Sequence, residues 1–156
     1  MYQISSLTTE QSIHCKQQYS SKKRVLEAIS ELLAEGQKRL SPNKIFEILL
    51  NRERLGSTAL GKGIALPHGR IENIEKPIIA ILTLENGVDF EAPDEQPVDI
   101  IFALLVPIEC NEKHLQLLAA LASLFNESDF REKIRGASEP IDIIKTLESA
   151  DKIDTN

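Results

Sequence analysis

The stretch GSTALGKGIALPHGR, residues 56–70, gathers the side chains best suited to handling a phosphoryl group: Ser57, Thr58, Lys62 and His68, set among glycines. Gly56 to Lys62 reads G-x-x-x-x-G-K, one residue short of a nucleotide-binding P-loop. The missing residue is a hydroxyl, because Gly63 stands where Ser or Thr would hold magnesium. A P-loop also follows a strand and opens a helix, so that helix-end amides face the phosphates. Here a helical pattern comes before the glycines, and Ile64-Ala65-Leu66-Pro67 comes after them, with a proline that obstructs a helix. ATP binding at this loop is therefore rejected.

His68 offers chemistry without a nucleotide. A neutral imidazole is a good nucleophile near neutral pH. Attack on a phosphoryl group needs an exposed ring, donors and positive charge for the phosphoryl oxygens, and exclusion of water. Pro67 stiffens the backbone before His68, and Gly69 leaves room for a partner group beside it. Gly61 and Gly63 allow sharp bends that expose amides, successive exposed amides form an anion-binding hollow, and Ser57 and Thr58 add donors. The same composition also suits a flexible loop that happens to expose a histidine.

Two further residues have the right chemistry. His114 sits near the start of a helical pattern, on the face of Leu118, Leu121 and Phe125, where the positive end of the helix disfavours imidazolium. A neutral ring there can donate one hydrogen bond to a phosphoryl oxygen; the competing reading is a core histidine with a backbone partner. Arg52 can clamp phosphate oxygens, or simply complement the end of its own helix together with Arg54. Glu53 reads as a solvated charge. His14, Cys15, His68, Cys110 and His114 lack metal-ligand spacing, no G-x-S-x-G elbow occurs, and the Asp94-Glu95 pair lies in a polar loop.

The elements that must position these residues follow from periodicity. Residues 1–19 leave room for one short strand. A helix is predicted from Ser20 or Ser21 to Gly36, carrying Val25, Leu26, Ile29, Leu32 and Leu33. A second runs from Ser41-Pro42 to Arg54, with Ile45, Phe46, Ile48 and Leu49 inward and Gly56 as its stop. Ile78–Leu84 reads as a buried strand, Asn86-Gly87 as a turn, and Val88–Phe90 as a short return strand. Val98–Val106 is apolar on both faces, the mark of a central strand, and Pro107 ends it. A third helix, capped by Asn111 and running to Asn126, is apolar nearly all round and so expected to be well buried. Two short helices, 128–135 and 138–147, and a polar, frayed tail complete the chain. The fold class is α/β: one domain over 1–156, core 4–148, tail 149–156.

The totals exclude several functions. An apolar fraction of 42% with 27% charged residues describes a globular chain able to bury a core. A net charge of −6 argues against a nucleic-acid partner, and Lys22, Lys23 and Arg24 read as a solvated helix turn. The longest apolar run, Ile100–Val106, is too short for membrane insertion, and the start has no secretory pattern. Two separated cysteines are expected as reduced thiols in the cytoplasm.

RERLGSTALGKGIALPHGR, residues 52–70, resembles the active-site segment of type-2 enzyme IIA domains of the bacterial phosphoenolpyruvate-dependent phosphotransferase system. Every fixed position of R-E-x-x-G-S-T-x-x-G-x-G-I-A-x-P-H-G is met. KHLQLLAALA supplies the second family histidine, His114, and SKKRVLEAISELL is similar to the family's first helix. The resemblance implies a mixed β-sheet with helices on both faces. It implies that His68 takes a phosphoryl group from an HPr-type phosphocarrier, with His114 and Arg52 supporting it and Ser57, Thr58, Gly61, Gly63 and Gly69 shaping the pocket. No cofactor or metal is implied. Two branches differ in output: sugar-transport members pass the group to a IIB domain, whereas nitrogen-related members regulate target proteins, such as ion-transport or sensor proteins, by phosphorylation state. CKQQYSSKKRVLEAISELL is more similar to the nitrogen-related branch.

Overall fold

The computed structural model describes residues 3–109 and 112–154; Cys110 and the expected cap Asn111 lie outside the described residues. Two 3₁₀ turns, Ile4–Leu7 and Glu10–Ser12, lead into strand β1 (Ile13–Gln17). Helix α1 (Lys22–Ala34) starts where the Ser21 side chain accepts the Arg24 amide, and α2 (Pro42–Arg54) where Ser41 accepts that of Lys44. Each serine satisfies one of the amides that a helix start leaves unpaired. Four strands follow before the long central one: β2 (Ala59–Gly61), β3 (Ile64–Ala65), β4 (His68–Ile71) and β5 (Ile78–Val88). Then come β6 (Val98–Pro107) and helices α3 (Glu112–Asn126), α4 (Ser128–Gly136) and α5 (Pro140–Asp154).

The sheet runs β1-β5-β6-β3-β2, with β4 also on β6. It is mixed: β5 is antiparallel to β6, whereas β3 and β4 are parallel to it, one after the other along the same side. Strand β6 is apolar without a break from Ile100 to Val106, and both its faces are covered. Ile100, Phe102, Leu104 and Val106 join Leu117, Leu121, Phe125 and Leu147 under α3–α5. Ile101, Ala103 and Leu105 join Leu26, Ile29, Ile45 and Leu49 under α1 and α2. Each such Ile, Leu, Val or Phe side chain stabilises the fold by about 1.5–3 kcal/mol relative to exposure. One α/β domain with helices on both faces is thus what the apolar pattern builds. Among the described residues, no helix is long and apolar enough to cross a membrane.

Three expectations need correction. Asn86-Gly87 is not a hairpin turn: β5 continues to Val88, which pairs with Val98, and the register slips between Thr83 and Val88. Glycine serves close approach there, since a Cβ on Gly87 would lie 2.8 Å from Pro97 Cβ and 3.2 Å from the Val98 carbonyl oxygen. Helix α3 is buried on one face only, through His114, Leu117, Leu121 and Phe125, while Leu115 is 66% exposed.

The tail does not fray at residue 149. Helix α5 begins at Pro140 rather than Ser138 and carries Ala150 and Asp151 into buried positions. The Asp151 carboxylate accepts the amides of Ile4, at 2.9 Å, and Ser5, at 3.0 Å, so a polar residue near the end of the chain serves the beginning. Asp151→Ala strands those two amides, and a loss of about 1–3 kcal/mol is expected in urea unfolding. His68 and His114 imidazole resonances should not move in that variant.

Candidate functional site

Strand β4 carries His68 and lies at an edge, paired among the described residues only to β6, with His68 opposite Leu104 and Gly69 opposite Leu105. Alternation along the strand sends His68 to the α3 face and Gly69 to the α2 face. The loop expected around His68 is thus a strand, too short to show a period. Gly69 does not leave room for a partner group, because that room is filled by α2. A Cβ on Gly69 would stand 2.3 Å from Ile48 Cγ2. Arg52 follows Ile48 by four residues on the same helix face, so this close contact keeps Arg52 within electrostatic reach of His68.

His68 Nδ1 lies 2.8 Å from the Leu66 carbonyl oxygen. A carbonyl only accepts, so Nδ1 carries the proton and Nε2 the lone pair. Burial pushes the His68 pKa below its ordinary value and the Arg52 charge adds to this, against the Leu66 hydrogen bond and the Glu53 charge. The ring is therefore neutral and nucleophilic at neutral pH.

His114, in the first turn of α3, faces it, with ring centroids 5.5 Å apart and planes at 62°. His114 is 7% exposed, and among the described residues its Nδ1 has no hydrogen-bond partner. No backbone group among the described residues satisfies that nitrogen, as one would for an ordinary core histidine. Burial lowers its pKa, and it is lowered further by His68, whenever that ring takes up a proton, and by the Arg70 charge. Arg52 donates from Nη1 to the Gly56 carbonyl at 2.9 Å, and among the described residues its other donors stay unengaged. It both closes the end of α2 and places a fixed positive charge within electrostatic reach of His68.

The remaining sequence candidates are placed elsewhere. The Ser57 hydroxyl donates to the Phe90 carbonyl at 2.7 Å, and the Thr58 amide and hydroxyl both bind the Glu53 carboxylate. Gly61 and Gly63, with φ of 92° and 84°, turn the β2–β3 hairpin. Ile64 pairs with Ile100 and His68 with Leu104, about 13 Å further along β6, so the glycines of this hairpin lie well away from His68. A Cβ on Gly63 would meet Asp99 and Arg135, which marks a structural crossing rather than an anion hollow. Glu53 is not solvated but buried, and a signal for it existed: Ile45, Leu49 and Glu53 recur every four residues on one stripe of α2.

The family model for "Phosphoenolpyruvate-dependent sugar phosphotransferase system, EIIA 2" matches residues 6–150. The chain belongs to this EIIA family. A nitrogen regulatory protein of Pseudomonas aeruginosa is 47% identical over 117 residues, covering 75% of this chain and 76% of that protein. The nitrogen regulatory protein of Escherichia coli K12 is 39% identical over 140 residues, covering 89% and 83%. The crystal structure of nitrogen regulatory protein IIA-Ntr from Neisseria meningitidis matches with a TM-score of 0.86 at 36% identity, over 92% of this chain and 98% of that one.

Two outcomes test the geometry of this EIIA chain. Gly69→Ala forces Ile48 and β4 apart and should cost about 1–3 kcal/mol in denaturant unfolding, with part restored by adding Ile48→Ala. The acid limb of stability follows from the imidazoles. Both pKa values are lower folded than unfolded, so between those values the unfolded chain binds more protons. Their contribution is present above pH about 6.5 and is lost as the pH falls from there through the folded values. His114→Gln should flatten that loss in unfolding midpoints measured from pH 7 to 5.

Proposed function

We propose that His68 accepts a phosphoryl group on Nε2 from a phosphorylated HPr-type carrier protein, and that the resulting phosphorylation state regulates target proteins. The observation that carries this reading is the neutral His68 ring, its Nδ1 proton tied to Leu66, facing a second imidazole at 5.5 Å. The Nε2 lone pair attacks phosphorus and a P–N bond forms. The bond to the carrier breaks, and its electron pair returns to the carrier. The Nδ1 proton stays in place, and the Leu66 carbonyl stabilises the charge that the ring acquires. Arg52 supplies positive charge to the phosphoryl oxygens. The buried His114 ring, whose Nδ1 lacks a partner among the described residues, gains an acceptor in one of those oxygens.

A protein donor suits the rim. Leu115, next to His114, is 66% exposed, and Ile108, just past β6, is 46% exposed, giving a docking partner apolar surface to cover. Regulation is favoured over relay to a IIB domain because relatives matching most of this chain carry the name nitrogen regulatory protein. Phosphorylation adds up to about two negative charges where none stood, enough to change partner binding without refolding. A cytoplasmic location goes with this reading, because a carrier protein must reach His68.

Incubation with phosphoenolpyruvate, enzyme I and the carrier should give acid-labile, alkali-stable label that vanishes in His68→Ala. Label persisting in that variant overturns the assignment. His114→Ala should keep its fold and accept the group about a hundredfold more slowly.

A further inference from the structure

Behind His68 lies a buried ionised cluster that the chemistry above does not use. The Glu53 side chain is 2% exposed, although it stands in the last turn of α2. Lys22 Nζ, from the start of α1, is 3.0 Å from its Oε1. The Thr58 amide reaches both carboxylate oxygens at 3.2 Å, and the Thr58 hydroxyl donates to Oε2. Lys22 is held in turn by the Phe90 carbonyl, at 3.5 Å, and sits 4.9 Å from the centre of the Phe90 ring. A leucine at position 53 would continue the apolar stripe of α2 without the desolvation that a buried ion pair incurs.

The cluster leads to the imidazole in two hydrogen-bonded steps. The Thr58 carbonyl accepts the Leu66 amide at 3.1 Å, and the Leu66 carbonyl accepts the His68 Nδ1 proton at 2.8 Å. Residues 59–65 between them form the hairpin whose second strand is fixed to β6. Thr58 and Leu66 are therefore the two posts at the hairpin's base, and Glu53 grips one of them. The carboxylate is also within electrostatic reach of His68. Alone it would repel a phosphoryl group; Lys22 cancels it.

We propose that Lys22, Glu53 and Thr58 form a positioning unit for the acceptor histidine. Glu53 holds Thr58 so that the Leu66 carbonyl keeps the His68 proton on Nδ1, and Lys22 neutralises the carboxylate against the incoming group. This rests on His68 being the acceptor, so the test reads two quantities, one of which does not depend on phosphorylation.

Imidazole ¹⁵N spectra report the His68 tautomer directly, and label from phosphoenolpyruvate through enzyme I and the carrier reports rate and final extent. Wild type should show one tautomer, protonated at Nδ1. Glu53→Gln and Thr58→Val should show mixed tautomers and accept the group up to about a hundredfold more slowly. Thr58→Ser should restore the single tautomer. Lys22→Met should lower the final phosphorylated fraction, and Lys22→Met with Glu53→Gln should recover part of it. An unchanged tautomer in folded Glu53→Gln and Thr58→Val overturns the positioning role, and an unchanged phosphorylated fraction in Lys22→Met overturns the neutralising role. Should Glu53→Gln fail to fold, Thr58→Val and Thr58→Ser decide the first point. Absence of label on wild-type His68 would defeat the functional reading alone, and the tautomer comparison would still decide the positioning role.

Discussion

A single proton, shared between His68 and the Leu66 carbonyl, sets the demands on the surrounding architecture. The bond is 2.8 Å long and fixes which ring nitrogen is free. It survives only while Leu66, in the bridge after β3, and His68, at the start of β4, keep their places. Strands β3 and β4 take adjacent positions along one side of β6, and Leu66-Pro67 bridges the step between them. The ladder is not lost there, because the Pro67 carbonyl accepts the Leu104 amide at 2.9 Å. Proline has no amide to contribute, and an edge position is where that lack is tolerated.

Both layers of the fold meet at this edge. The α3 layer supplies His114 and the α2 layer supplies Arg52, and the two are coupled through the strand between them. Since Ile48 touches the bare backbone at Gly69, α2 cannot shift without moving β4. The site draws on a carbonyl, a helix face and a close contact that are far apart in sequence. Rigidity of this kind suits a reaction whose barrier depends on placement and charge.

The large elements are legible in the sequence because each has its own signal. Ser21 and Ser41 announce helix starts, and the unbroken apolar run of β6 announces a strand covered twice. His68, His114 and Arg52 are legible from residue type and motif. What escapes is what depends on tertiary contact. Strands β2 to β4 are too short to show alternation. Asn86-Gly87 has turn chemistry, yet Pro97 and Val98 press on Gly87 from across the sheet and decide its use. Glu53 looks like any charge near a helix end until α1 brings Lys22 to it, and Asp151 looks like tail until the start of the chain docks on it.

The position of β4 at the sheet margin carries a liability of its own. An open margin offers unpaired amides and carbonyls to any extended chain, the route by which sheets polymerise. Here the exposed segment is four residues long, and it carries Arg70, whose charge discourages a second sheet from stacking alongside. Past it, Asn73 turns left-handed, with φ of 69°, which stops the ribbon from extending. His68 is thereby displayed on a margin too brief, too charged and too bent to template aggregation.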